Sequence, residues 1–208
     1  MTQILKPAEN LVLIYDTETS GFPLWKDPSE DPRQPHIVDL CAILYTPEGE
    51  VVDMMETMIR PDGWIIPDEV AEVHGITTDI ATINGIDEIE ALAMFGKLHK
   101  RASLRVAHNV SFDDRIMRIG IKRFFGDGPA DRFKAAPNYC TANAAKPLCK
   151  CPPTEKMLNS RFKNTFKTPT VAEALKILLG EELVGAHRAR PDTEACAKVY
   201  FHIQSLRP

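Results

Sequence analysis

Short apolar runs in the first half of the chain predict the strands of a sheet. Residues 11–15 read LVLIY, a run typical of a strand that is buried on both faces. Residues 36–45 and 51–59 flank the turn sequence TPEGE, which predicts a hairpin. Residues 104–108 predict one more short strand, after a helical segment.

Longer segments with apolar residues at every third or fourth position predict helices. These segments cover 67–73, 86–101, the stretch from Ser111 onward, 171–179 and 192–206. Ser111 is expected to cap the N-terminus of its helix. A hairpin beside a strand–helix–strand crossover implies a mixed sheet with helices packed on it. The pattern therefore predicts an α/β fold.

Two segments rich in proline or glycine are predicted to be loops. Residues 22–35 contain four prolines, and residues 126–138 contain two glycines and two prolines. No segment resembles a linker that would split the chain, and 208 residues suit one domain. We therefore predict a single domain over 1–208, with a basic, loop-rich insertion around 126–168.

The composition is that of a globular protein, with 44% hydrophobic and 26% charged residues. No apolar run approaches the roughly 18 residues that a membrane helix needs. The N-terminal residues lack the apolar stretch of a signal peptide, and five cysteines do not suggest a secreted disulfide framework. We expect a soluble, cytoplasmic protein with no membrane partner.

Charge is distributed unevenly along the chain. Residues 1–100 carry 6 basic and 19 acidic residues, whereas residues 115–167 carry 12 basic and 3 acidic residues. The basic stretch is either a surface that binds an anion or the counterpart of the acidic half within the fold. Charge alone does not decide between these two interpretations.

Two carboxylates follow the first apolar run. Asp16 and Glu18 are two residues apart, so their side chains point to the same face if the strand continues. Two such charges are costly unless a cation neutralises them, and oxygen ligands suit Mg²⁺ or Mn²⁺. The alternative is that both residues only shape the turn before Gly21.

Two further motifs carry carboxylates at predicted helix starts. Asp113 ends the sequence HNVSFD, after the fourth predicted strand, and Asp192 ends HRARPD, next to Pro191. His187 begins the second motif and is free to point towards whatever Asp192 binds. The alternatives are helix capping for Asp113 and an ordinary loop histidine for His187.

Together, these motifs resemble those of the DnaQ-like exonucleases. This is the DEDDh branch of the ribonuclease H-like superfamily, typified by the proofreading 3′–5′ exonuclease of bacterial DNA polymerase III. The segment DTETSG at 16–21 is similar to the first family motif, with Ser20 as its one departure. HGIT at 74–77, HNVSFD at 108–113 and HRARPD at 187–192 match further family segments, although Thr193 replaces the usual alanine.

The resemblance implies a ribonuclease H-like mixed five-stranded sheet flanked by helices. It also implies that Asp16, Glu18, Asp113 and Asp192 hold two divalent cations, Mg²⁺ or Mn²⁺, about 4 Å apart. His187 would then be the general base that takes a proton from the attacking water. The product would be a nucleoside 5′-monophosphate.

The resemblance also implies substrate contacts beside these motifs. The residues concerned are Thr17, Thr19, His74, Asn109, Phe112 and Arg188. Phe112 is suited to stacking on a base, but it is also placed as a core residue of its helix. His74 has a structural alternative, and Arg188 has the alternative of a solvated surface residue.

The leading hypothesis for the function is a metal-dependent 3′–5′ exonuclease that acts on single-stranded or frayed DNA ends. The alternative keeps the chemistry but changes the substrate to RNA or short oligoribonucleotides. The resemblance makes a separate DNA polymerase chain a candidate partner. The segment 139–152 is similar to that of some phage-encoded relatives, which suggests a phage protein acting in the bacterial cytoplasm.

A different class of function is a binding module, including a zinc-stabilised adaptor. Cys140, Cys149 and Cys151 invite a zinc interpretation, with His202 or Cys41 as a fourth ligand. Their spacing departs from the paired cysteines of structural zinc sites, so free thiols are the default. Cys41 and Cys196 are expected in the core.

Overall fold

One five-stranded sheet forms the centre of the computed structural model, which describes residues 10–207. Its strands are β1 (Val12–Thr19), β2 (Ile37–Tyr45), β3 (Val51–Met58), β4 (Leu104–Ala107) and β5 (Asn138–Cys140). Across the sheet the order is β3-β2-β1-β4-β5. The β1–β2 and β2–β3 pairs are antiparallel, and the β1–β4 and β4–β5 pairs are parallel. The predicted mixed sheet is confirmed.

Helices flank this sheet. Those within the described residues are α1 (Asp68–His74), α2 (Thr78–Asn84), α3 (Glu88–His99), α4 (Val110–Phe125), α5 (Asp127–Ala135), α6 (Thr141–Cys149), α7 (Glu155–Leu158), α8 (Val171–Leu179) and α9 (Ala189–Ser205). The helix α2 was not predicted, because Ala81 is its one buried residue and no apolar stripe marks it. No helix in residues 10–207 is both long and apolar enough to cross a membrane.

Alternate residues of β1 face two different cores, as the two-residue period of a strand requires. Leu13 and Tyr15 pack in the core formed with α3 and α4, which includes Phe95. Ile14 lies on the opposite face, in a core that contains Cys41 and Cys196 and is formed with α9. The expectation that both cysteines are core residues is confirmed. The strand β2 is buried along its whole length, so the sheet is covered on both sides.

The segment 126–168 is less loop-rich than predicted. It contains α5, β5, α6 and α7, and its longest stretch with neither helix nor strand is 159–168. Gly126 adopts a φ of 78° just before α5, and Pro129 lies in the first turn, where a missing N–H has no cost. The glycine and proline therefore begin a helix here instead of preventing one. The predicted loop at 22–35 is confirmed, because it has neither helix nor strand.

Two helix starts also differ from the predictions. The residue that precedes α4 is Asn109, in a left-handed conformation with φ 68°, and Ser111 lies inside the helix. The prediction of Ser111 as the cap is therefore wrong; its hydroxyl donates to Asn109 Oδ1 at 3.2 Å. The last helix, α9, begins at Ala189, three residues before the predicted start, so Pro191 and Asp192 both lie in its first turn.

Candidate active site

Asp16 and Glu18 project from the same face of β1. The strand extends through Thr19, beyond the apolar run that predicted it, so the expected i, i+2 geometry applies. In the antiparallel pairing, Asp16 lies opposite Cys41 and Glu18 lies opposite Asp39. Both side chains are half-buried at the C-terminal end of the strand, the usual location of ligand sites in open α/β sheets.

Asp113 lies in the first turn of α4 and is only 2% exposed. Its Oδ1 accepts hydrogen bonds from Thr17 N at 3.1 Å and from Thr17 Oγ1 at 2.8 Å. Thr17 stands between the two carboxylates of β1. These bonds therefore hold the start of α4 against the end of β1 and bring Asp113 to Asp16.

Asp192 and His187 reach the same place from α9 and the loop before it. Asp192 is buried, and its Oδ2 accepts a hydrogen bond from His187 N at 3.0 Å. His187 has a φ of 63°, and its side chain is exposed. Glu18, His187 and Asp192 each offer one ligand atom, and these atoms lie within 4.8 Å of one another.

Burial raises the pKa values of all four carboxylates, and repulsion from neighbouring site carboxylates adds to this at Asp16 and Glu18. Burial, then Asp192 and Asp39, raise the pKa of Glu18 to about 8. Burial raises the pKa of Asp113 to about 7, against the hydrogen bonds from Thr17. Burial raises the pKa of Asp16 and of Asp192 as well, and Asp113 and Glu18 add to the effect at Asp16. A bound divalent cation would offset the cost of ionising four neighbouring carboxyl groups.

The donor set fits a divalent cation. Asp192 Oδ1 is buried and has no hydrogen-bond partner within residues 10–207, which leaves it available as a ligand. The carboxylate oxygens of Asp16, Glu18 and Asp113 are of the type that Mg²⁺ and Mn²⁺ prefer. The four carboxylates and His187 named from the sequence therefore meet at one site.

Asp39 belongs to this site, although the sequence interpretation missed it. It is 1% exposed near the start of β2, and its Oδ2 accepts from Arg188 Nε at 2.8 Å and from Ala189 N at 3.2 Å. The signal was present, since Asp39 is the one charged residue in the otherwise apolar strand IVDLCAILY. Arg188 was expected to contact substrate. In the structure its Nε donates a hydrogen bond to Asp39 instead.

Three other residues expected to contact substrate make internal contacts. The hydroxyl of Thr17 donates to Asp113, and that of Thr19 donates to Gly21 O at 2.8 Å. His74 is buried, and its Nδ1 accepts from Ile76 N at 3.1 Å. Burial lowers the pKa of His74, and the Thr19 backbone opposes this shift. His74 therefore lies against the end of β1, next to the carboxylates.

Asn109 immediately precedes α4, and Phe112 lies in its first turn next to Asp113. Asn109 is exposed. Phe112 is half-buried; it packs partly on the core and meets the ring of Phe22 edge-on, with centroids 6.2 Å apart. Phe22 is 83% exposed and was not singled out from the sequence, because a loop residue carries no periodic signal. Both interpretations of Phe112 thus have support.

The described part of the chain does not bring the three cysteines together as a zinc site. Within residues 10–207, the one group of three or more potential ligand residues with atoms close enough to share an ion is Glu18, His187 and Asp192. Cys140, Cys149 and Cys151 are free thiols. The zinc interpretation of these cysteines is wrong for the described part of the chain.

Comparison with known proteins gives similarities in sequence and in fold. The sequence model of the exonuclease family RNase_T matches residues 13–200. The chain is 30% identical over 114 residues to the PolC-type DNA polymerase III of Thermotoga petrophila, and equally to that of Thermotoga maritima. The aligned region is 55% of this chain but only 8% of each relative.

Among solved structures, the chain is similar to exonuclease I of E. coli. The zinc-bound complex of that enzyme with single-stranded DNA superposes with a TM-score of 0.74 at 19% identity, over 96% of this chain and 41% of the other. The ribonuclease H-like fold implied by the motifs is therefore confirmed. The family match spans all four carboxylates and His187. Both findings agree with the DnaQ-like motifs, and the chain belongs to the RNase_T exonuclease family.

Proposed function

We propose that this chain is a metal-dependent 3′–5′ exonuclease that releases nucleoside 5′-monophosphates from single-stranded or frayed DNA ends. The observation that carries the proposal is the convergence of four carboxylates at the end of β1, beside an exposed histidine. Asp16 and Glu18 come from the strand, Asp113 from α4 and Asp192 from α9.

DNA is the proposed substrate because the relatives are associated with DNA. The Thermotoga relatives are DNA polymerases, and the exonuclease I structure is a complex with single-stranded DNA. The chain spans 8% of those polymerases and 41% of that exonuclease chain. A DNA polymerase partner, a cytoplasmic location and a phage origin stay predictions.

The four carboxylates are proposed to hold two divalent cations, Mg²⁺ or Mn²⁺. When bound, the ions supply Lewis-acid chemistry and neutralise charge at the scissile phosphate. The chain's own contribution is to supply a preformed set of oxygen ligands, because burial and the Thr17 hydrogen bonds fix the position of Asp113. Asp39 and Arg188 fix the start of α9, which carries Asp192.

His187 is proposed to be the general base. Its imidazole is exposed, while its backbone N–H is held by Asp192, so the ring is near the carboxylates but open to water. A neutral imidazole accepts the proton of the attacking water. The new P–O bond then forms as the bond to the leaving 3′ oxygen breaks. The released nucleotide keeps its phosphate on the 5′ oxygen.

The decisive experiment compares digestion of matched 3′-tailed DNA and RNA oligonucleotides with Mg²⁺ or Mn²⁺. We expect a ladder from the 3′ end of DNA, abolished in Asp16→Ala and in His187→Ala. His202→Ala, in the distal part of α9, is the matched control and should remain active. A ladder on RNA alone would assign the same chemistry to RNA. No metal-dependent digestion of either substrate would exclude the exonuclease and favour a binding module.

A further inference from the structure

A cavity of about 310 Å³ adjoins the start of α4, outside the carboxylate cluster. Its lining includes Trp25, Ser111, Asp114, Arg115, Arg118 and Lys134. Arg115, Arg118 and Lys134 belong to the basic stretch 115–167, whereas Trp25 carries no signal in the sequence. The exposed Trp25 indole and several cations in the lining suit a ligand with a flat ring and a negative charge.

The cavity follows one face of α4 away from the active site. Ser111, Arg115 and Arg118 are spaced i, i+4 and i+7, so they share a face of the helix. Ser111 is in the same first turn as Asp113. The rise along the helix from Ser111 to Arg118 is about 10 Å, which accommodates a nucleotide next to one held at the carboxylates.

Hydrogen bonds hold the loop 22–35 in a position that leaves Trp25 exposed at this cavity. Arg115 donates to Asp27 O at 2.6 Å, to Ser29 Oγ at 2.8 Å and to the carbonyl of Leu24 at 3.3 Å. Gln34 donates to the same Leu24 carbonyl and accepts from Leu24 N, both at 3.0 Å. The neighbouring Trp25 is 57% exposed, so an ordered backbone presents a large apolar ring to solvent.

The unpaired charge of the cavity is positive, because its one carboxylate, Asp114, forms an ion pair with Arg105 on β4. Arg115 is held by neutral acceptors and forms no ion pair within residues 10–207, and burial and the nearby Arg118 lower its pKa. Arg118 pairs with Asp131 at 3.2 Å, but Asp131 is itself largely exposed. Lys134 is exposed and forms no ion pair with the described residues. A bound phosphate would reduce the repulsion among two neighbouring guanidinium groups and a lysine, and would accept hydrogen bonds from them.

Building on the exonuclease function proposed above, we infer that this cavity binds an upstream nucleotide of the single strand whose 3′ end is cleaved. The Trp25 indole stacks on its base, and Lys134 and Arg118 bind its phosphate. Stacking tolerates any base, so the subsite improves binding of the strand without selecting its sequence. Arg115 holds the loop and is a positioning residue.

The first test uses two substrates of different length. The 4-nitrophenyl ester of thymidine 5′-monophosphate occupies only the carboxylate site, whereas a long oligothymidylate also reaches the cavity. We expect Trp25→Ala and Lys134→Ala each to lower kcat/KM for the strand about tenfold and to leave ester hydrolysis unchanged. Trp25→Phe should retain most of the strand activity, because it keeps a stacking ring.

Ile83→Ala and Lys97→Ala are matched controls, since both residues are exposed on other helices. If the wild-type protein cleaves both substrates but Trp25→Ala and Lys134→Ala change neither, the upstream subsite is refuted. Equal losses on both substrates would also refute it, because they would indicate a general disturbance of the active site. If the wild-type protein cleaves neither substrate, the exonuclease function itself fails.

A second test does not depend on cleavage. The chain has two tryptophans, Trp25 and Trp64, so Trp64→Phe leaves Trp25 as the one indole reporter. In EDTA, oligothymidylate should quench the fluorescence of Trp64→Phe and leave that of Trp25→Phe nearly unchanged. Binding detected by fluorescence anisotropy of a labelled strand, without quenching of Trp25, would contradict stacking. Absence of any binding at strand concentrations up to the millimolar range would contradict the subsite as well.

Discussion

At the scale of single residues, the site consists of carboxyl groups whose ionised form is disfavoured by burial in the fold. The pKa of Glu18 is raised to about 8 and that of Asp113 to about 7, mainly by burial. Such groups bind protons in the folded chain at pH values where an unfolded carboxyl has lost its proton. Protons and metal ions therefore compete for the same oxygens.

The first prediction concerns the pH dependence of stability without metal. Because the folded pKa values of the site carboxyls are raised, these groups bind more protons in the folded chain than in the unfolded chain between about pH 4.5 and 8. Stability in EDTA should be highest near the lower pH and should fall as pH rises through about 8, by a few kcal/mol in all. Urea unfolding across this range measures it. Mg²⁺ should restore stability most at the highest pH, and a flat profile in EDTA would contradict the raised pKa values.

The second prediction concerns Asp39, the buried acid behind the metal site. Asp39→Asn removes the charged acceptor of Arg188 Nε and Ala189 N, so the start of α9 and with it Asp192 should lose its fixed position. It also removes a charge that raises the pKa of Glu18, which offsets part of the lost stability. We expect kcat to fall about tenfold while the free energy of unfolding falls by at most about 2 kcal/mol.

Glu56→Gln is the matched control for Asp39→Asn. Glu56 pairs with Arg190 at 3.1 Å, from the strand next to β2, but both side chains are exposed. An exposed pair contributes less than about 1 kcal/mol, so this variant should keep wild-type kcat. Equal effects of the two substitutions would show that Asp39 has no special role.

At the scale of elements, one buried network joins the strands and the helix that carry the carboxylates. Arg105 on β4 is 2% exposed and donates through Nε and Nη2 to the two oxygens of Asp114, both at 2.8 Å. Tyr15 Oη donates to Asp114 Oδ1 at 2.5 Å. Tyr15 precedes Asp16 and Asp114 follows Asp113, so the network fixes β1, β4 and α4 next to both acids.

The third prediction tests this network. Arg105→Met keeps an unbranched apolar stem but leaves Asp114 without its cation, and we expect a loss of about 3 kcal/mol in the free energy of unfolding. Arg101→Met is the control, because Arg101 forms an exposed ion pair with Asp53 and should cost less than about 1 kcal/mol. Urea titration of both variants measures the difference. Similar losses would contradict a structural role for the network.

At the scale of the whole molecule, the basic residues fall into two groups. Some compensate the acidic half within the fold, and others are free to bind an anion. Several ion pairs join the acidic first half to the basic second half: Lys122–Glu30, Arg123–Glu88, Arg188–Asp39 and Arg190–Glu56. Other cations of the stretch 115–167, such as Lys134, form no ion pair within residues 10–207. These are available to a polyanion.

The fourth prediction concerns the dependence of DNA binding on salt. If about three or four unpaired cations contact phosphates, the logarithm of the binding constant should fall with the logarithm of salt concentration with a slope of about −2 to −3. Lys134→Ala should make the slope shallower by about one unit, and Lys97→Ala should not change it. Anisotropy titrations of a labelled single strand in EDTA measure the slopes, and a slope near zero would refute phosphate contacts.

The sequence by itself determined the class of the fold and the identities of the carboxylates. Apolar runs and helical spacing located the strands at 36–45, 51–59 and 104–108, because burial imposes a period that local sequence records. The acids could be named because 16 and 18 follow the first predicted strand, and 113 and 192 lie at the starts of predicted helices. The RNase_T match confirms the resemblance that their motifs indicated.

Only the tertiary structure decided the features that depend on contacts between distant segments. The strand β5 is too short to carry a pattern, and it forms because Ala107 on β4 offers an open edge for Cys140 to pair with. The role of Asp39 depends on Arg188, 149 residues away along the chain, and the exposure of Trp25 depends on Arg115. Periodicity records whether a residue is buried, but it does not record which distant residue packs against it.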